Sequence, residues 1–339
     1  MRNSYLGWYI ARRVAWAVVA TFIILSITFF LMYLTPETHT QDMMFSAAVE
    51  QGQDPDEIRE TIEAQRGQDR PVHEQYIDYM VNMATFNWGW SHTRMQPVTE
   101  AVANAYPYSL MYGIPAVILS TILGLAIGLY SATNQYTRTD YAATFFAFFG
   151  LSIPNFWFAI VLLLLFGVYL EWVPITFDAN AAKDPNGNIT VGSMLSGDNL
   201  RQLVLPVFVL TTGAIASMMR YARAEALEYV RADFVKTAKA KGASGRRILY
   251  RHIFRPASVP LSTIMVGDLL GIIFVASYLI EVVFSIPGLG QLSYNAIMDR
   301  DTPVVMATVL IPTFVAIIGN LVQDIAYTVL DPRIDFGDR

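Results

Sequence analysis

Cysteine is absent from the 339-residue chain, which removes disulfides, thiol catalysis and Cys-ligated metal together. Histidine is almost as scarce: His39, His73, His92 and His252 are the only four, and no two of them stand at a metal-pair spacing. Charged residues make up 15%, against roughly 25% in ordinary soluble domains, and lysine supplies only four of the 23 cations. No GxxxxGK[ST] pattern occurs, so the chain carries no phosphate-cradling loop of that kind. A small-residue cleavage site is also lacking. The first apolar run ends in Tyr33-Leu34-Thr35-Pro36-Glu37 and is expected to remain as an anchor.

What fills the space is apolar. Hydrophobic residues reach 54%, and they are clustered in runs rather than spread out. Crossing the hydrocarbon core takes roughly 20 apolar residues as helix. Six runs approach or exceed that length: 14–34, a stretch of about 108–133 inside the uncharged segment 101–137, 141–170, 202–219, 256–280 and 302–323. The fourth is short, the third contains Pro154 in its first half, and the fifth is interrupted by Asp268. Pro154 and Pro312 are both placed to kink their helices. The pattern predicts an all-α integral membrane protein with six transmembrane helices. Its parts are a first span with its N-terminal flank (1–34), an extracytoplasmic segment (35–107) and a membrane-spanning core (108–339).

Charge orients the spans. Residues 220–255 hold ten Lys and Arg against three acids, whereas residues 35–107 hold four Arg against twelve Asp and Glu. The basic loop, the N-terminus with Arg2, Arg12 and Arg13, and the C-terminus are therefore expected on the cytoplasmic side of a multi-pass plasma-membrane protein. Segments 35–107, 172–201 and 284–301 fall outside. In the first of these, Ile58 and Ile62, then Val72, Tyr76, Met80 and Met83, follow helical spacing and predict two short amphipathic helices. They either cap their own spans or present a docking surface to an external partner. Asn188-Ile189-Thr190 matches the glycan-acceptor triplet on the outer side, a pattern common by chance. Glu281, at the outer end of the fifth run, is expected within reach of water. Asn320, Gln323 and Asp324 are expected at the inner end of the sixth.

The loop at 223–255 is long, basic and patterned. Residues 223–241 have helix-forming composition, Gly242 breaks the helix, and Ser244 is a plausible N-cap for a second helix to about Phe254. A helix, a glycine turn and a short helix between two spans could transmit a push from a soluble partner. The plainer alternative is a loop whose positive charge serves only topology and lipid contact.

The arrangement favours the first reading. Tyr229 to Ser244 resembles the coupling loop of binding-protein-dependent ABC importers and is most similar to the dipeptide/oligopeptide permease version. The general pattern runs Glu-Ala-Ala, three residues, Gly, nine residues, Ile-x-Leu-Pro. Aligned on Gly242, this chain has Lys236-Thr237-Ala238 at the first element, and His252, Phe254 and Arg255 at the last. The peptide-permease branch departs in a similar way. Ser152 to Phe158, Glu281 to Gly290, Asp331-Pro332-Arg333-Ile334 and Phe86 to Ser91 resemble the same family in the same order, so the likeness covers nearly the whole chain. The long first outer segment is similar to that of the B-type subunit.

That resemblance implies a type I importer-like fold and a permease that is not an enzyme and binds no cofactor. ATP and Mg would sit on two cytoplasmic ATPase subunits. The other partners would be a second, C-type permease subunit, an external substrate-binding protein and the lipid bilayer, with no nucleic acid. By family position the ATPase docks on Ala240, Lys241, Gly242, Ala243, Ser244, Gly245, Arg246, Arg247, Tyr250 and Arg251. Asp268 either lines the translocation path or makes a hydrogen bond across helices, since a lone charge facing lipid costs about 2.5–3.5 kcal/mol. A secondary transporter or channel without an ATPase is the competing function; it would call for internal inverted repeats. An intramembrane enzyme ranks below both, because no predicted span contains a histidine.

Overall fold

The computed structural model describes residues 2–34, 70–91, 93–258, 278–299 and 301–330, with isolated positions between them. The first expected outer helix, around Ile58 and Ile62, lies outside the described residues, as do most of the fifth run with Asp268 and the segment Asp331–Ile334. In chain order the elements are α1 (Arg2–Leu34), α2 (Val72–Ala84), a small antiparallel hairpin β1 (Trp90–Ser91) and β2 (Gln96–Pro97), and α3 (Val98–Thr133). Next come α4 (Arg138–Ser152), α5 (Asn155–Leu162) prolonged by a π-helical stretch Leu163–Tyr169, α6 (Val191–Met194), and α7 (Gly197–Val230). The chain continues with α8 (Asp233–Ala240), α9 (Gly245–Arg247) prolonged by a π-helical stretch Ile248–Phe254, α10 (Tyr278–Phe284), α11 (Leu289–Met298) and α12 (Thr302–Leu330).

Among the described residues four helices, α1, α3, α7 and α12, are long and apolar enough to cross a membrane, and the bent pair α4–α5 makes a fifth if counted as one span. The third run is thus not a single straight helix. Its arms meet at 97° because a residue before proline is driven out of the helical region. Ile153 accordingly takes ψ 127°, and Pro154 starts the second arm. Both arms nevertheless follow α7. Asp140 meets Arg223, Gly150 lies against Thr212, Asn155 against Gly213, and Phe158 against Phe208.

The second run also differs from expectation. Its helix begins at Val98, ten residues before the expected start at 108, and continues through Pro107 and Pro115. Proline is tolerated inside membrane helices where neighbours re-satisfy the freed backbone groups. With 36 residues, α3 is ~54 Å long at ~1.5 Å per residue. That exceeds the ~30 Å hydrocarbon core, so α3 and the 34-residue α7 project beyond it.

These two helices form the spine, and glycine sets their separation. Gly124 and Gly128 stand on one face of α3, one turn apart. A Cβ at Gly128 would lie 2.6 Å from the Met219 carbonyl oxygen and 2.7 Å from the Ala222 Cβ. Small residues at this spacing let membrane helices approach closely. Forcing a side chain into such a contact costs about 1–3 kcal/mol. Gly128→Val is therefore expected to lower the melting temperature of the detergent-solubilised protein measurably. Gly187→Val, at a turn whose Cβ direction is open, reports backbone strain alone and is expected to cost less.

The three largest clusters of buried side chains among the described residues follow the spine. At the acidic end Val98, Ala101 and Ala105 of α3 pack against Leu289, Leu292 and Ala296 of α11 and Val304 and Ala307 of α12. A second cluster joins Tyr108, Met111 and Tyr112 to Ala159, Leu203, Val209 and Phe284. The third lies at the basic end, described below. The amphipathic helix α2 packs on its own first span: Tyr76 Oη shares a 2.7 Å hydrogen bond with Ser26 Oγ, and Phe29 contacts Tyr76 and Tyr79. Its other face leaves Ile77 and Val81 exposed.

Candidate functional site

At the basic end, α7 stops at Val230 and the chain turns through Arg231 and Ala232 into α8. The single helix expected over 223–241 is therefore two. No breaker residue marks the bend; its cause is burial. Turning back buries Val235 and Ala238, and Val235 joins Ala226, Leu129 and Ala132 at the ends of the spine. A straight helix would carry Val235 away from them. Asp233 in the first turn of α8 suits a helix N-terminus, and the Lys236 ammonium that hydrogen-bonds it at 2.8 Å holds its carboxyl below the usual range.

Helix α8 ends as the local sequence requires. The Gly242 N–H bonds the Lys239 carbonyl (3.0 Å) and the Ala243 N–H bonds the Ala238 carbonyl (3.1 Å), the paired bonds of a glycine-terminated helix. Gly242 sits at φ +74°, in the left-handed region that costs residues with a Cβ about 1–2 kcal/mol. Ser244 then caps α9, its Oγ accepting from the Arg247 N–H at 3.4 Å.

The second helix continues in π register from Ile248 to Phe254, and the sequence gives the reason. The buried positions Ile248 and Ile253 are five residues apart. In an α-helix they would point roughly 140° apart, whereas i→i+5 bonding stacks them on one face. Both enter the core with Leu129, Ala132, Ala226 and Val235. The α8–α9 unit is thus fixed by apolar contact to the ends of both α3 and α7. Of the ten candidate docking residues, Ala243 is half-buried and the other nine are exposed. Tyr250 is 62% exposed and Phe234, on the adjoining helix, 48%.

A second polar assembly braces this end. Asp140, 2% exposed, pairs with Arg223 at 3.1 Å, accepts the Tyr136 N–H at 2.9 Å and receives the Ser131 hydroxyl. The arrangement ties α3, α4 and α7 together just before the chain enters the α8–α9 unit. Removing one partner of a buried pair strands the other charge, at about 3–5 kcal/mol in full burial and less here because Arg223 is part-exposed. Asp140→Ala should lower thermal stability clearly and Asp140→Asn less, which a melting series on the detergent-solubilised protein checks.

At the acidic end two further carboxylates are buried. Glu281 does not reach water as expected; it is fully enclosed. Its Oε1 accepts Ser109 Oγ–H at 2.7 Å and Tyr112 Oη–H at 2.6 Å, and Oε2 accepts the Gln291 N–H at 2.9 Å. Ser109 Oγ in turn accepts the Leu289 N–H at 2.9 Å. Glu281 thus caps the N-terminus of α11 from the preceding helix. A Cβ on Gly288 would lie 2.5 Å from both Glu281 Oε2 and Ser109 Oγ, so this glycine makes room for the carboxylate. Asp301 closes the same segment by accepting the Ser91 and Thr93 hydroxyls, each at 2.6 Å. Asp140 and Asp301 belong to no motif, and Arg223 counts in the sequence only as one of the loop cations; the available signal was acids and an arginine at the borders of apolar runs. Among the described residues no group of three His, Cys, Asp or Glu could hold a metal.

A helical membrane component with an apolar spine and a cationic element locked to its end is the class that this fold and site define. Residues 124–336 match the profile of the binding-protein-dependent transport system inner membrane component, and residues 7–112 match the N-terminal profile of such membrane components. The chain belongs to this family, whose members are non-catalytic membrane permease subunits. It is 34% identical over 282 residues to the oligopeptide transport system permease protein AppB of Bacillus subtilis, covering 82% of this chain and 85% of that one. Identity to OppB of Haemophilus influenzae is 32% over 330 residues, covering 97% and 99%. To the di/tripeptide transport system permease protein DppB of Pseudomonas aeruginosa it is 32% over 335 residues, covering 96% and 98%.

Proposed function

We propose that this chain is the B-type permease subunit of an ATP-driven importer of peptides or related small polar solutes, and that residues 240–251 receive the motion of its ATPases. The observation that carries the reading is mechanical. The exposed cationic unit α8–α9 is anchored to the ends of both α3 and α7 through one apolar cluster, so a displacement of the unit must move two spans. The basic end faces the cytoplasm, because Lys and Arg are retained there, and both termini share that side. The names of the relatives support a peptide cargo.

In this reading a C-type permease completes the path, two ATPase subunits hold ATP and Mg, and an external protein delivers the solute. The chain itself contributes no catalytic group. Asp268, the charge within the fifth run, is the candidate for contacting a polar solute. Reconstitution with these partners in proteoliposomes tests the proposal: peptide accumulation should require ATP and the binding protein. Accumulation driven by an ion gradient with the ATPases omitted would overturn it in favour of a secondary transporter.

A further inference from the structure

We infer that the surface engaged by the α8–α9 unit is a carboxylate-rimmed cleft with an apolar pocket that takes the Tyr250 ring; this rests on the docking role proposed above. The face is charged in one sense. Residues 231–255 contain eight cations, Arg231, Lys236, Lys239, Lys241, Arg246, Arg247, Arg251 and Arg255, against one acid, Asp233. That acid is already bound to Lys236 at 2.8 Å, and all eight cations are exposed. A partner presenting cations here would meet like charge, which costs affinity and suppresses wrong pairings.

Shape distinguishes a protein partner from an anionic lipid surface. A polybasic segment binds lipid through summed charge and needs no fixed conformation. Here the conformation is fixed by a glycine turn, a serine cap and the five-residue spacing of Ile248 and Ile253. The π register that buries those two isoleucines leaves Tyr250 standing out at 62% exposure beside Arg251, with Arg246 and Arg247 one turn before it. Tyrosine and arginine on a preorganised surface are the residue types that dominate protein interfaces. An aromatic ring among guanidinium groups fits a pocket ringed by Asp and Glu.

The test uses the full complex purified in detergent, with ATPase retention measured across about 0.05–0.5 M salt, a range over which screening of surface charge rises steeply. Wild-type retention should fall with salt. The double variant R246E/R247E should bind ATPase at least tenfold more weakly at low salt and show a flatter salt dependence. Tyr250→Ala should weaken retention severalfold at every salt concentration, leaving the slope unchanged, and Tyr250→Phe should restore it. All these positions are exposed, and unchanged melting temperatures will confirm folding. Retention insensitive to salt and to R246E/R247E, while a Gly242→Val variant still uncouples transport, would overturn the carboxylate cleft and leave the docking role standing. Charge reversal that strips anionic lipid but not ATPase would overturn it in favour of a lipid-facing surface. Wild-type protein that retains no ATPase at any salt concentration would overturn the docking role itself.

Discussion

Gly242→Val is expected to cut ATP-dependent uptake to about a tenth of wild type or lower while the protein still inserts and the ATPases still turn over. The cause is backbone geometry. At φ +74° a residue with a Cβ is strained by about 1–2 kcal/mol, and a β-branched residue is a genuine outlier there. Nothing lies within 4 Å of where the Cβ would be, so the variant is not excluded by a clash. The turn relaxes out of the left-handed region instead, breaking the Gly242 and Ala243 N–H bonds that end α8 and letting α8 and α9 move independently. A difference of about 1.4 kcal/mol is tenfold in population, which sets the expected size. Asparagine tolerates this conformation, so Gly242→Asn should keep most of the uptake. Parallel assays of uptake and ATP hydrolysis in proteoliposomes decide the matter; valine uptake equal to wild type, or asparagine as impaired as valine, would contradict the geometry.

Glu281→Leu should produce the largest loss of stability in the described part of the chain. Leucine fills similar space but accepts no hydrogen bond. The Ser109 and Tyr112 hydroxyls and the Gln291 N–H, all directed at the carboxylate, lose their acceptor in a fully buried place. Each stranded group costs about 1–3 kcal/mol, so a total of at least about 3 kcal/mol is expected. At the size dependence seen in domains of 150–250 residues that is roughly 10 °C in melting temperature. Glu281→Gln keeps an acceptor for the hydroxyls but turns an amide donor toward the Gln291 N–H, so its loss should be intermediate. Gly288→Ala acts on the same cage from the other side, through a Cβ 2.5 Å from Glu281 Oε2. Its effect should therefore differ between the Glu281→Leu background and wild type, the non-additivity of contacting residues. Additive effects would show that the carboxylate and the glycine do not share one cage.

Much of this architecture is written in the runs of apolar residues. The expected apolar runs lie within α1, α3, α7 and α12, because lipid solvation acts on each span separately, although α3 starts ten residues earlier and α7 runs on to Val230. The turn at Gly242 and the cap at Ser244 were equally legible, since both depend on the chemistry of a few adjacent residues. Features that depend on tertiary contact were not. The break at Arg231 and Ala232 has no local signal; it exists because Val235 is buried against Leu129 and Ala226. The π register after Arg247 shows in the sequence only as isoleucines five apart, a spacing with no meaning until one core has to hold both. Glu281 is expected within reach of water because it ends an apolar run. Its partners Ser109 and Tyr112 lie about 170 positions away, beyond the reach of any periodicity.

The absence of cysteine makes the central claim directly measurable. A single cysteine introduced at Lys241, next to the glycine turn and exposed, is the only thiol in the chain and can carry a short photo-crosslinker without competition. In the assembled complex it should attach to an ATPase subunit, and in intact cells it should resist a membrane-impermeant thiol reagent. Labelling from outside the cell, or a crosslink to every partner except the ATPase, would contradict the account.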